Sequence, residues 1–134
     1  MITVGMTRTE EKKVTDAMTA SVVCTGAPGV LGTPFMMGLM ESAAMHCIMN
    51  ELPEGKGTVG VDIQSTHLAA TPVGMNIRAT AEVTGISPNG KMISFKVSAW
   101  DETCLIGEGT HTRAIIDNAK FLQKCNEKLM GIKK

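Results

Sequence analysis

From Thr33 to Leu52 the chain reads TPFMMGLMESAAMHCIMNEL, and between Thr33 and Met49 the only Asp, Glu, Lys or Arg is Glu41. Thr33 is placed as an N-cap with Pro34 at the first helical position, and Pro53 and Gly55 supply the stop. The segment therefore reads as a long helix without a polar face. Such a helix must be covered nearly all round, and this requirement constrains the fold more than any other feature of the chain. Glu41 is its anomaly. A carboxylate among Met37, Leu39, Met40, Ala43, Ala44 and Met45 is costly to bury ionised, so it calls for a partner or a raised pKa. Carboxylates of that kind cluster at active sites, although ion-paired structural ones also occur.

After the helix the hydrophobic period changes to two. In TVGVDIQSTH, alternation puts Val59, Val61, Ile63, Ser65 and His67 on one face, with Asp62 and Gln64 on the other. Ile77, Ala79, Ala81 and Val83 form a second inward set. The turn Pro88-Asn89-Gly90 leads to a third, Ile93, Phe95, Val97 and Ala99. Asp101 to Thr103 turns the chain into a last strand over roughly Leu105 to Ile116. A C-terminal helix follows, capped by Asp117 or Asn118, with Phe121, Leu122, Cys125 and Leu129 expected to face inward. Before the long helix, Val14, Met18, Ala20 and Val22 suggest one strand, and CTGAPGVLG (Cys24 to Gly32) a loop. Tight connections make neighbouring strands antiparallel. The expected architecture is α+β: a five-stranded antiparallel sheet wrapped around a long central helix, the hotdog arrangement, in a single domain over residues 1–134. Sheet edges and helix ends are natural partner surfaces, so a homodimer is expected, with pairing into a tetramer left open.

Composition removes other classes. Lys plus Arg equals Asp plus Glu at 13 each, and three Phe and one Trp are too few for base-stacking platforms, which argues against nucleic acid. Cys24, Cys47, Cys104 and Cys125 are isolated, without metal-ligand spacing, and no signal peptide is evident before them. They read as reduced thiols of a cytoplasmic protein. No apolar stretch is continuous enough to span a bilayer. His46, His67 and His111 lack metal spacing with Asp or Glu, and the glycines at 26, 29 and 32 fit no phosphate-binding loop. No metal and no cofactor is expected.

Besides Glu41, three positions carry chemical potential. Thr33 lies at a helix start, where free N–H groups favour an anion or a developing oxyanion, although a plain N-cap is the simpler reading. His67 closes an alternating strand and should point towards the helix; a lone His there is more often a hydrogen-bonded core or edge residue than a base. Arg113 shares a strand face with His111, its plain reading being a surface charge near the sheet's end. Geometry limits their cooperation. Eight residues along the helix separate Thr33 from Glu41, a rise of ~12 Å, so the two cannot bond directly. Glu41 and His46 point ~140° apart and do not form a facing acid–base pair.

The runs TPFMMGLMESA, TVGVDIQSTHLAATPVGM and SFKVSAWDETCLIGEGTHTRAII resemble, in order, the hotdog-fold fluoroacetyl-CoA thioesterase family, over most of the chain from the Cys24 loop to Ile116. The resemblance implies catalytic roles for Thr33, Glu41 and His67. It implies substrate contacts for Gly60 and Arg113, the latter less securely placed, and an acyl-CoA substrate. Glu41 would serve as nucleophile or water-activating base, and His67 as general acid/base; which of the two activates water stays open. One departure matters. The family carries two phenylalanines as a lid in the loop before the Thr, and here those positions are Cys24 and Ala27. The resemblance thus implies thioester hydrolysis of a short or small acyl-CoA, without implying selectivity for a fluorinated group. Two other readings compete: a non-catalytic acyl-CoA or small-ligand binder on the same fold, and a hydratase or dehydratase acting on enoyl-CoA. The Glu41/His46 geometry disfavours the latter.

Overall fold

Strict alternation in the middle strands gives the computed structural model, which describes residues 1–132, its floor. The elements are β1 (Thr7–Lys13), a 3-10 turn (Asp16–Met18), α1 (Ala20–Val23), α2 (Thr33–Met49), β2 (Lys56–Ser65), β3 (Asn76–Ile86), β4 (Met92–Trp100), β5 (Leu105–Asp117) and α3 (Asn118–Ile132). The five strands form one sheet in the order β1-β3-β4-β5-β2, every pair antiparallel. Ile77, Ala79, Ala81 and Val83 on β3 and Ile93, Phe95, Val97 and Ala99 on β4 are buried, as their period of two requires. Against them α2 buries Met36, Leu39, Met40, Ala43, Ala44 and Ile48. Small alanines on both sides let helix and sheet approach closely. This is the expected hotdog arrangement. No helix among the described residues is long and apolar enough to cross a membrane.

Four expectations need correction. The N-terminal strand is not built from Val14 to Val22 but from TRTEEKK, which pairs with β3 as an edge strand. Its side chains are nearly all polar, so no hydrophobic period marked it. Val14 and Met18 are buried by way of the 3-10 turn instead. Second, Gly32 rather than Thr33 is the N-cap, and its carbonyl accepts from the Phe35 and Met36 N–H groups. Thr33 and Pro34 are thus the first two helical residues, which frees the Thr33 hydroxyl from capping.

The third correction lies in β2. Gly60 pairs with Arg113 and Asp62 with the adjacent Thr112, so Val61 is the extra residue of a β-bulge. The bulge inverts the alternation. Thr58 and Gly60 share the inner face with Ile63, while Val59 lies on the opposite face and Val61 is 55% exposed. The strand ends at Ser65, and His67 lies just beyond it. Lastly, the apolar face of α3 is not inward: Phe121, Leu122, Cys125 and Leu129 are all exposed. The helix touches the body through β5, from which it directly continues.

Candidate active site

The start of α2 is pinned before any chemistry is considered. Leu31 and Gly32 donate to the carbonyls of Thr71 and Met18, and Ala20 donates to that of Val30. On the other side, Thr66 and Leu68 donate to the carbonyls of Glu108 and Ile106 of β5. That close approach needs Gly109, because a Cβ there would collide with the Gln64 carbonyl. The two anchored segments bring His67 over the first turn of the helix, where Thr33 Oγ1 and His67 Nδ1 lie 2.7 Å apart. The imidazole's other nitrogen, Nε2, is buried and has no hydrogen-bond partner among the described residues. An unpaired buried nitrogen costs stability, so it marks a place where a bound group would be favourable. The first turn itself is a poor oxyanion site. Pro34 has no N–H, and those of Phe35 and Met36 are already committed to Gly32.

Glu41 belongs to a second group of residues. Its carboxylate sits over Gly60, where a Cβ would lie 3.3 Å from Glu41 Oε2 and 3.3 Å from His111 Cε1. The bulge at Val61 is what turns Gly60 to this face. Arg113 Nη1 is 3.9 Å from Glu41 Oε2, within ion-pair range but beyond hydrogen-bond reach. The carboxylate is 42% exposed, so it has the required partner without deep burial.

Arg113 is buried, not the surface charge that the plain reading suggested. Its Nε donates to Thr58 Oγ1 at 2.8 Å, one terminal nitrogen to Thr58 O at 3.0 Å, and Nη1 to His111 Nε2 at 3.3 Å. His111 Nδ1 in turn donates to Asp62 O at 2.8 Å, and its ring stacks on Phe95. This pattern fixes His111 as a neutral imidazole. Burial above all, with the neighbouring guanidinium, lowers its pKa from the ordinary value. Burial likewise lowers that of Arg113, while Glu41 opposes the shift. The arginine stays charged regardless.

Sequence reasoning placed Thr33 beyond direct reach of Glu41, and the structure engages the two with different partners. Thr33 and His67 form one couple; Glu41, Gly60 and Arg113 form the other. His111 and Thr58 were missed as supports. The shared strand face of His111 and Arg113 was visible, but the bulge that brings Thr58 to the same face was not. His46 faces away from the site, as its spacing from Glu41 required, and its Nδ1 lies 2.7 Å from Glu10 Oε2 of β1.

Residues 14–119 match the family model described as fluoroacetyl-CoA-specific thioesterase. A fluoroacetyl-CoA thioesterase of Streptantibioticus cattleyicolor is 43% identical over 101 residues, 75% of this chain and 71% of the relative. A solved structure of the fluoroacetyl-CoA thioesterase FlK superposes with a TM-score of 0.91 at 36% identity, covering 96% of this chain and 98% of that one. A mutant of that enzyme in complex with acetyl-CoA gives 0.88 at 35%, covering 95% and 98%. A thioesterase superfamily member of Thermus thermophilus gives 0.88 at 28%, covering 98% of each chain.

Proposed function

The chain belongs to the fluoroacetyl-CoA-specific thioesterase family, and from that membership we propose how its residues hydrolyse a small acyl-CoA. In the reaction, the oxygen of water bonds to the acyl carbon, the C–S bond breaks, and CoA leaves as the thiol with a proton. Glu41 is the nucleophile or the base that activates water; His67 moves the proton to the leaving sulfur. Thr33 orients His67 through Nδ1. Gly60 gives the thioester close approach beside the carboxylate, and Arg113 holds Glu41 by charge without consuming its lone pairs.

The observation that carries this assignment is the Thr33–His67 hydrogen bond, which leaves His67 Nε2 for a bound group. The whole chain acts as one domain. A homodimer is proposed because β2 is an outer strand, its Val61 is exposed, and Glu41 lies open beside Gly60 on the same strand. A second copy along that edge would cover the site. A cytoplasmic location is supported by four free cysteines, as in a reducing compartment.

Release of free thiol from a panel of acyl-CoAs tests the activity, and Glu41→Gln and His67→Ala test the residues. Both variants should lose kcat by roughly 10²- to 10⁴-fold while folded. Retained turnover in both would overturn the assignment, and ligand binding without thiol release would favour the non-catalytic reading.

A further inference from the structure

Asp101 is buried, and among the described residues no Lys, Arg or His lies within ion-pair range of it. Its two oxygens are used differently. Oδ1 closes the turn between β4 and β5, accepting from Thr103 N–H at 2.8 Å, Cys104 N–H at 2.9 Å and Thr103 Oγ1 at 2.9 Å. Oδ2 accepts from Thr71 Oγ1 at 2.9 Å, across 30 residues of chain. The turn is complete with Oδ1, so the second oxygen serves the distant hydroxyl. Thr71 is itself fully buried and faces two ways: its hydroxyl holds Asp101, and its carbonyl accepts the Leu31 N–H at 2.9 Å. Thr71 lies four residues after His67, and Leu31 two before Thr33. His67 is seated on β5 by the Thr66 and Leu68 N–H groups on either side of it. Through Thr71, the chain entering α2 reaches the same β4–β5 frame.

Resting on the hydrolytic reading above, we infer that Thr71, held by the Asp101 carboxylate, is a positioning residue for the reaction: it clamps the chain entering α2 to the β4–β5 frame and so sets where Thr33 meets His67. It acts through that couple and not on the substrate. β5 also carries Arg113, so the clamp places the couple relative to Glu41 as well. A hydrogen bond to an ionised carboxylate is roughly twice as strong as a neutral one, which suits a point that must not yield. The demand on it is strict, because a misplacement of about 1 Å at a reacting group can cost on the order of 10²-fold in rate.

The test is steady-state thiol release by the full-length protein, at a temperature where melting curves show each variant folded. Thr71→Val keeps the shape of the side chain and removes the donor; kcat should fall roughly tenfold or more, with KM changed by less than about threefold. Thr71→Ala makes the same comparison where Thr71→Val does not fold. Thr71→Ser, which restores the hydroxyl, should keep kcat within about twofold of the parent. In a Thr33→Ala background the couple is already broken, so Thr71→Val should cost less than about twofold there, whereas a role in general stability would cost the same factor in both backgrounds. Apart from turnover, the nitrogen-15 shift of His67 Nδ1 reports the couple directly. It should move in Thr71→Val in the direction seen in Thr33→Ala and keep its parental value in Thr71→Ser. An unmoved kcat in Thr71→Val, equal losses in Thr71→Val and Thr71→Ser, or equal losses in the two backgrounds overturns the positioning role while leaving hydrolysis intact. Absence of thiol release from the parental protein overturns the hydrolytic reading, and this inference with it.

Discussion

The Thr33 hydroxyl, 2.7 Å from His67 Nδ1, joins the first turn of α2 to the segment that follows β2. Because Gly32 performs the capping, this hydroxyl is not needed by the helix and its contact with the imidazole is free to serve orientation. Thr33→Ser should therefore retain near-parental kcat. Thr33→Ala should lose roughly tenfold or more, through a misoriented proton carrier. Steady-state thiol release with melting curves checks this, and equal loss in both variants would contradict an orienting hydroxyl.

Arg113 is the structural keystone of the Glu41 side. Lysine cannot reproduce its fork to Thr58 and His111, so Arg113→Lys should cost about 1–3 kcal/mol of stability and reduce kcat. Glu41→Gln, at a half-exposed carboxylate 3.9 Å from its partner, should change stability by less than about 1 kcal/mol while abolishing most activity. Chemical denaturation of both variants distinguishes a supporting role from a reacting one.

Gly60→Ala would place a methyl 3.3 Å from Glu41 Oε2 and His111 Cε1. The exposed carboxylate can yield by a few tenths of an ångström more easily than the stacked imidazole. The expected result is a loss of kcat larger than the loss of thermal stability. An unaffected kcat would show that nothing reacts in that space.

The folded pKa of His111 lies below its ordinary value of 6.5, so the unfolded chain binds protons more readily. This contribution is fully present above pH 6.5 and is lost as pH falls from there through the lowered folded value. Urea midpoints should decline between pH 7 and 5, and His111→Asn should flatten that decline. An unchanged pH slope in His111→Asn would show that another group titrates.

Asp101 acts further into acid. Burial pushes its pKa up, but donation from the Thr103 and Cys104 N–H groups and the Thr71 and Thr103 hydroxyls outweighs it and leaves the value at about 2. With an ordinary value of 3.8, its contribution is present above that pH and is lost on the way down to about 2. Asp101→Asn should cost on the order of 2 kcal/mol near neutrality and much less at pH 2, read by denaturation at the two pH values.

Much of the fold was legible in the residues. β3 and β4 obey a period of two because each has one face on the helix, and a helix as apolar as α2 admits few architectures. β1 was not legible, since an edge strand with polar side chains on both faces leaves no pattern. The apolar stripe of α3 misled for the opposite reason: amphipathicity announces a helix but does not specify what covers it.

Glu41 marks the same boundary within the site. Local sequence determined that a carboxylate would stand alone on an apolar helix, and helix rise alone put Thr33 out of its reach. Tertiary structure decided which groups met each of them. One extra residue at Val61 turned Gly60 and Thr58 to the face where Arg113 of β5 meets Glu41, and the close approach over Gly109 carried His67 to Thr33. Neither could be read from spacing, because a bulge or a strand crossing depends on long-range backbone pairing, whereas periodicity records only which face a regular element would bury.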